Sequence, residues 1–182
     1  LIWTGDNTHW DKAEYHPKEG SPVRPKGYNA TLMTDQALDF IGDGAGAPFF
    51  LMLSWNPPHS NFLDAPEAKK ALYPLDTLAW RGNVPESIKR TEKSGDEGWK
   101  SAGPPYYQGY HAHISAIDDE LNRVLAHLDA HGLAENTIVV YSSDHGSMMG
   151  SHALGGKRQP FEESIRIPFI ARCPGRIPAN AR

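Results

Sequence analysis

The sequence of 182 residues predicts an α/β domain with a mostly parallel sheet flanked by helices. Apolar runs followed by turn residues lie at 48–55 and 136–142 and are typical of strands buried on both faces. An amphipathic helix is predicted between them at 105–131, and a third apolar run lies at 165–173. This order of strand, helix, strand and strand indicates one partial α/β domain over residues 1–182.

The N-terminal part is predicted to hold a loop and then a helix. Residues 1–27 are polar and aromatic, contain three prolines and show no period, so a loop is expected there. A helix is predicted over 29–41, with Asn29 or Thr31 as its cap, and the glycine-rich stretch at 42–47 ends it. Residues 29–31 also match a glycosylation sequon, but the cap interpretation is favoured.

The first predicted strand, at 48–55, ends abruptly in the segment Asn-Pro-Pro-His59. Residues 60–104 have little periodicity and form a long excursion with a short helix near 65–72. A stretch of this length inside a domain is typically functional or mobile.

The helix at 105–131 is predicted from seven apolar residues spaced along one face: Tyr110, Ile114, Ile117, Leu121, Val124, Leu125 and Leu128. Gly132 supplies its C-terminal cap. The strands at 136–142 and 165–173 follow, the last one interrupted early by Pro168.

Composition excludes several classes of protein. Eighteen Lys and Arg residues against 22 Asp and Glu residues give a net charge of −4, which favours neither nucleic acid nor an anionic membrane as partner. The longest apolar run is far shorter than the roughly 20 residues of a membrane-spanning helix. Cys173 is the single cysteine, so an intrachain disulfide and a cysteine-based zinc cluster are both excluded.

The segment Ser-Ser-Asp144-His145-Gly146 directly follows the second predicted strand. Ligands bind at the carboxyl ends of strands in open α/β sheets, so Asp144 and His145 form a candidate pair of metal ligands. A strand-end turn capped by Asp144 is the alternative. A Ser-His-Asp triad is disfavoured, because adjacent side chains point apart.

Two further segments place candidate ligand, substrate-binding and proton-transfer residues at the same edge of the predicted sheet. The Gly- and Ser-rich stretch at 147–156 contains a third candidate ligand, His152, and leads to Lys157, whose charge suits an anionic ester. Arg158 is interpreted as part of a solvated basic turn. His59 follows the first strand, where an imidazole suits proton transfer near neutral pH; an ordinary surface histidine is the alternative.

An ordered set of motifs covers nearly the whole chain. It comprises residues 28–41, 48–59, Ala-Ile-Asp-Asp at 116–119, Gly-Leu at 132–133, Asn-Thr-Ile-Val-Val at 136–140, Ser-Asp-His-Gly at 143–146, Gly-Ser-His at 150–152, Gly-Lys at 156–157, Phe-Glu-Glu-Ser at 161–164, Ile-Pro at 167–168 and Pro-Gly at 174–175. In this order the motifs resemble the sulfatase family of the alkaline-phosphatase-like superfamily.

The resemblance implies roles for individual residues. Asp144 and His145 complete a divalent metal site, usually a calcium site in this family. Many members have Asn where His145 stands, so manganese or zinc stays open. Lys157 contacts the sulfate, His59 contacts it and protonates the leaving oxygen, and His152 is placed with them among the substrate contacts.

The nucleophile implied by the resemblance is a formylglycine made in a Cys/Ser-x-Pro/Ala-x-Arg motif. This motif is absent from the chain, and Cys173, followed by Pro, Gly and Arg176, has the wrong spacing. The motif and the family's N-terminal Asp-Asp metal ligands are expected upstream of Leu1. We therefore interpret the chain as part of a longer protein and expect residues 1–182 alone to be inactive.

The resemblance implies a sulfuric ester hydrolase acting on a small-molecule or carbohydrate sulfate ester. Members are often exported, which favours a periplasmic or extracellular location, and the oligomeric state is open. A phosphonate or phosphate ester hydrolase is the alternative enzyme, although a phosphoryl dianion usually requires more cations than these residues offer. A non-catalytic binding module is the alternative outside enzymes.

Overall fold

The computed structural model describes residues 2–3, 9–11, 13–14, 21, 26–43, 46–90 and 103–180. The chain forms two compact units: residues 1–78 with 105–124, and residues 79–104 with 125–182. Parts of the predicted N-terminal loop, of the glycine-rich stretch at 42–47 and of the excursion at 60–104 lie outside the described residues. No helix in the described ranges is both long and apolar enough to cross a membrane.

The helices and strands of the described residues follow one another as β1 (Ile2–Trp3), β2 (Ala13–Glu14), α1 (Asn29–Asp43), α2 (Glu67–Lys70), α3 (Glu86–Lys89), α4 (Pro104–Ala130), β3 (Val139–Ser142), α5 (Glu162–Ile165) and β4 (Phe169–Arg172). Single turns of 3-10 helix lie at Phe62–Asp64, Leu75–Thr77, Ala134–Asn136 and Ser151–Ala153. β1 and β2 pair antiparallel, so the segment predicted as loop at 1–27 contains a short strand pair.

Helix α1 confirms the predicted helix at 29–41 and continues two residues further. Its buried residues Ala30, Thr34, Ala37 and Ile41 are spaced by three or four positions and therefore share one face. The Thr34 hydroxyl donates to the Ala30 carbonyl at 2.9 Å and accepts from the Trp55 indole at 3.0 Å, which fixes residue 55 against this face.

Helix α4 confirms the predicted helix at 105–131, shifted by one residue at each end. Gly132, in the left-handed region at φ 68°, follows it, and the Leu133 amide donates to the Leu128 carbonyl at 2.9 Å. This bond closes the last turn and is the arrangement for which glycine is favoured after a helix.

The predicted apolar stripe of α4 is confirmed at Ile117, Val124 and Leu128, which are buried, but polar residues share the buried face. Ile114 is 37% exposed, while His113 and Glu120 are buried beside small residues such as Ala112 and Ala116. Gly109 shows the reason, because a Cβ there would collide with the Phe62 carbonyl. Close approach of the backbone therefore adds to side-chain hydrophobicity in selecting the buried face of the helix.

Polar contacts link α1 to α4 within the first unit. Thr31 donates to the buried Glu120 carboxylate at 2.6 Å. Arg123 bonds Glu120 at 2.7 Å and Asp35 at 2.5 Å. Glu120 is therefore buried with a cation and a hydroxyl as partners, as a buried carboxylate requires.

The predicted parallel arrangement is not confirmed, because β3 and β4 pair antiparallel, with Val139 opposite Arg172 and Ser142 opposite Phe169. An apolar run indicates burial but carries no information about strand direction. The only α-helix in the connection, the single turn α5, is too short for the crossover that returns a parallel strand. Both strands are also shorter than predicted at 136–142 and 165–173.

The strand predicted at 48–55 does not form in the described residues. The segment has no regular secondary structure and pairs with none of the strands β1 to β4, and a strand requires ladder hydrogen bonds to a neighbour. Phe50 and Met52 are 88% and 78% exposed, whereas Phe49, Leu51 and Leu53 are half-buried. The short helix predicted near 65–72 is confirmed as α2.

Candidate active site

Asp144, His145 and Lys157 form one polar group at the end of β3, in the second unit. The His145 amide donates to Asp144 Oδ1 at 2.9 Å, and His145 Nε2 lies 3.2 Å from Asp144 Oδ2. The Lys157 amine lies 2.7 Å from the same His145 Nε2. The sequence therefore correctly places these three side chains together, in an open concavity also lined by Arg158, Gln159, Ser164 and Ile165.

The hydrogen bonds of His145 define its protonation. A lysine ammonium can only donate, so His145 Nε2 must be an acceptor. The proton of the neutral ring then lies on Nδ1, which donates to the Gly146 carbonyl at 2.8 Å. His145 consequently presents an unprotonated Nε2 beside the Asp144 carboxylate.

Asp144 is a carboxylate with a strongly exposed side chain, at 81%. Its partial burial would raise its pKa, but the hydrogen bond from the His145 amide and the charge of Lys157 more than offset this, so the pKa of Asp144 is lowered. Asp144 is thus ionised at neutral pH and open to solvent.

Gly146 holds this group against the following segment. Its amide donates to the carbonyl of Ser164, a residue of α5, at 2.9 Å. A Cβ at this position would collide with the Glu163 carbonyl, so the backbone approaches more closely than any other residue would allow. The glycine therefore fixes the direction in which Asp144 and His145 leave β3.

The loop that carries Lys157 is held in an unusual backbone conformation. Met149, His152, Ala153 and Arg158 all have positive φ, between 45° and 67°. A residue other than glycine in this conformation costs on the order of 1 kcal/mol of stability. It is found only where contacts with the surrounding structure impose it. Buried Met148 and Met149 and the bond from the Met148 amide to the Gly156 carbonyl at 2.8 Å anchor the loop.

His152 lies in a different environment from Lys157 and does not line the same concavity. Its ring stacks on Phe161 with centroids 4.2 Å apart, and its Nε2 lies 3.1 Å from the Asn83 amide nitrogen. Asn83 also donates to Glu163 at 2.6 Å. Asn83 and Phe161 thus hold the ring of His152; Asn83 was not singled out from the sequence, and Phe161 entered only as part of the motif at 161–164.

His59 belongs to the first unit and is exposed. Its Nδ1 lies 2.8 Å from the Ser60 carbonyl, so Nδ1 carries a proton and Nε2 points away from this bond. The His59 amide donates to the Asn56 carbonyl at 3.1 Å, which closes a turn through the two prolines. The turn fixes the ring next to the backbone and leaves Nε2 available.

A second polar cluster, in the first unit, was not predicted. Asp64 Oδ1 lies 2.7 Å from His9 Nδ1 and 3.4 Å from His113 Nε2, and both histidine side chains are fully buried. Tyr28 completes the cluster through a 2.7 Å hydrogen bond to His113 Nδ1. We call these four residues the buried His-Asp cluster; they are far apart in sequence, so no local motif signals it.

Burial sets the charge states in this cluster. It lowers the pKa of His113 and raises the pKa of Tyr28, which keeps both groups neutral. Burial would also raise the pKa of Asp64, but hydrogen bonds to His113 and His9 outweigh it and hold that pKa well below its usual range. The Asp64 carboxylate is therefore ionised within a largely buried cluster.

The Asp144 and His145 pair fits a divalent cation. Its two ligand-capable atoms lie 3.2 Å apart, and the contact with Lys157 makes His145 Nε2 an acceptor. A carboxylate oxygen with an imidazole nitrogen suits manganese or zinc, and the oxygen alone suits calcium. The alternative of a simple turn cap does not account for the Lys157 contact.

Comparisons with known proteins point to one family. The family model described as Sulfatase matches residues 3–182. The chain is 34% identical to an ulvan-active sulfatase of Formosa agariphila, over 91% of this chain and 31% of that protein. It is 33% identical to an endo-4-O-sulfatase of Bacteroides thetaiotaomicron, over 93% of this chain and 32% of that protein.

A solved structure gives the same likeness in three dimensions. It comes from work on the metabolism of multiple glycosaminoglycans by Bacteroides thetaiotaomicron, and it matches with a TM-score of 0.78 and 29% identity. The match covers 96% of this chain and 35% of that one. The chain thus spans about a third of the length of the relatives it matches.

Proposed function

Because this chain belongs to the sulfatase family, we propose that the protein hydrolyses a sulfate ester and that Asp144, His145 and Lys157 are this chain's part of the active site. The contact between Lys157 and His145, at 2.7 Å, carries the proposal. It places an ammonium directly beside two groups of the kind that bind a metal ion. Such a combination suits a tetrahedral anion, whose oxygens need several positive partners.

Lys157 is proposed to hold the sulfate. Its side chain reaches into an open concavity, where Arg158 adds a second positive charge. During ester cleavage, negative charge accumulates on the leaving oxygen and the sulfate oxygens, and a fixed ammonium offsets it without reorganising. The strained loop around 149–158 is what keeps Lys157 in place.

Asp144 and His145 are proposed to hold the divalent metal that the family uses. Calcium is the metal we propose, with Asp144 as its oxygen ligand. When bound, this ion supplies positive charge next to the sulfate. The residues themselves contribute an ionised carboxylate and a ring whose Nε2 is kept unprotonated by the bond from Nδ1 to Gly146.

His59 is proposed to protonate the leaving oxygen. The bond from Nδ1 to the Ser60 carbonyl fixes the ring, so the proton available for transfer is the one on Nε2 of the charged imidazolium. The nucleophile expected from the family is a formylglycine, whose motif is not in this sequence.

The proposed substrate class is a carbohydrate sulfate. The support comes from the relatives, among them the structure from work on glycosaminoglycan metabolism and the ulvan-active sulfatase. We further propose that His152, held by Asn83 and Phe161, contributes to the sugar side of the site through its exposed ring.

The roles of His59 and Lys157 separate in a series of aryl sulfates with leaving groups of increasing basicity. In the full-length protein, His59→Ala should slow the poorest leaving groups by about 100-fold or more and barely affect activated phenols, which need little protonation. Lys157→Ala should slow all of them by about 100-fold, because charge on the sulfate must be held in every case.

His131→Ala and Lys89→Ala are matched controls, because His131 is exposed and the Lys89 amine bonds Glu86 of its own helix. Both controls should retain wild-type rates across the series. If His59→Ala slowed hydrolysis equally for all leaving groups, His59 would not be the proton donor. Unchanged rates in Lys157→Ala would contradict the proposed sulfate site.

A further inference from the structure

The buried His-Asp cluster contains the ligand types of a transition-metal site. We propose that His9, Asp64 and His113 bind a structural zinc ion, separate from the metal proposed at Asp144. Histidine nitrogen and carboxylate oxygen are among the ligands that zinc takes in proteins. The ligand-capable atoms of these three residues all lie within 4.8 Å of one another.

The distances are close to those of a tetrahedral zinc site. With bonds of about 2.0 to 2.1 Å, neighbouring ligand atoms in a tetrahedron are about 3.3 Å apart. His113 Nε2 lies 3.4 Å from Asp64 Oδ1 and 3.2 Å from the Asn61 carbonyl oxygen. The His9 Nδ1 to Asp64 Oδ1 distance of 2.7 Å is that of a hydrogen bond and widens by about 0.6 Å when a metal replaces the shared proton.

The Asn61 carbonyl is the proposed fourth ligand. It faces the same ring nitrogen of His113 as Asp64 does, and it belongs to the residue that caps the helical turn Phe62–Asp64. The cap bond from the Leu63 amide to the Asn61 side chain, at 3.1 Å, fixes this backbone. The Asn61 carbonyl and the Asp64 carboxylate thus both face His113 Nε2, and the carboxylate also faces His9 Nδ1.

The surrounding bonds hold the ligands in the orientation that a metal requires. Tyr28 bonds His113 Nδ1 at 2.7 Å, which leaves Nε2 of that ring facing Asp64. A hydroxyl both donates and accepts, so Tyr28 tolerates the change of tautomer that frees the Nε2 lone pair. The His9 amide holds Asp64 Oδ2 at 2.8 Å, and the Trp10 indole holds the Asp64 carbonyl at 2.6 Å.

Burial supports a structural ion rather than a catalytic one. His9 and His113 are fully buried and the Asp64 side chain is 19% exposed, so little room remains for a substrate. A closed set of four protein ligands is typical of structural zinc. The ion would tie residues 9–11, the turn at 61–64 and helix α4 together within the first unit.

The test is zinc titration of the full-length protein carrying Asp144→Ala, after removal of bound metal and in excess calcium. Asp144 is exposed, so this variant removes a ligand of the other proposed site while leaving the fold intact. We expect one zinc per chain by calorimetry and a rise in melting temperature on zinc addition. Absorption spectroscopy at the zinc edge should show two histidine ligands.

Three substitutions, each added separately to the Asp144→Ala protein, test the proposed ligands individually. Asp64→Asn, which preserves size, should abolish zinc binding; Tyr28→Phe should weaken it by about 10- to 100-fold, as expected for a residue that orients a ligand. His111→Ala, on the same helix as His113, is the control and should bind zinc normally. Failure of the Asp144→Ala protein to bind zinc, or binding that survives Asp64→Asn, would overturn the proposal without bearing on sulfate hydrolysis.

Discussion

The two units of the chain use the same polar residue types in opposite surroundings. In the first unit, His113 and Asp64 meet in the interior, with His113 fully buried. In the second unit, Asp144 and His145 meet at the surface, 81% and 37% exposed. A buried carboxylate and imidazole need partners inside the protein, either each other or a bound ion, whereas the same pair at the surface is also solvated.

This difference in burial indicates which property of the protein each of the two clusters should control. The buried His-Asp cluster connects segments far apart in sequence, so its loss should lower the free energy of unfolding. The exposed group bonds mainly within its own loop, so its loss should lower activity and leave the fold intact. The following substitutions test this separation, beginning with the largest expected effect.

Asp144→Ala should lower sulfatase activity of the full-length protein by more than about 100-fold, because it removes a proposed metal ligand. Its side chain is largely solvated, so the melting temperature should change little in the absence of added metal. Turnover of an aryl sulfate, metal content and thermal unfolding measure the three quantities. Normal turnover and full metal content in Asp144→Ala would show that Asp144 is only a turn cap.

Gly146→Ala should destabilise the second unit by roughly 1 to 3 kcal/mol, because the new Cβ collides with the Glu163 carbonyl. Gly82→Ala is the control in the same unit, since a Cβ there meets no atom within 4 Å. Denaturant unfolding of both variants gives the difference. Equal stability of the two would show that the segment around Glu163 moves away without cost.

Tyr28→Phe should lower the free energy of unfolding by about 1 kcal/mol, because buried His113 loses its hydroxyl partner. Tyr73→Phe should cost less, since Tyr73 bonds Ser115 at a partly solvated position where water can substitute. Chemical denaturation of both variants provides the measurement. A larger loss in Tyr73→Phe would contradict the importance given to burial.

Local sequence predicted the exposed group well. Asp144 and His145 follow a strand directly, and Lys157 lies twelve residues beyond His145, so one loop brings the three together. The helices α1 and α4 were also predictable, because an apolar period is a local signal and Gly132 marks the end of α4.

The remaining features depend on contacts between distant segments. His9, Asp64 and His113 are brought together by the folded first unit, and no spacing in the sequence indicates it. The antiparallel direction of β3 and β4 was missed because an apolar run does not record strand direction. The burial of His113 and Glu120 on α4 was missed, because Gly109 allows a backbone approach that hydrophobicity does not report.

Hydrolysis of matched esters tests the central claim most directly. The full-length protein would be given a sulfate ester, a phosphate ester and a phosphonate ester of the same phenol, and kcat/KM would be compared for each. We expect the sulfate ester to be hydrolysed fastest, with Lys157→Ala abolishing most of that rate. Faster hydrolysis of the phosphate or phosphonate ester, or no hydrolysis of any of the three, would contradict the account.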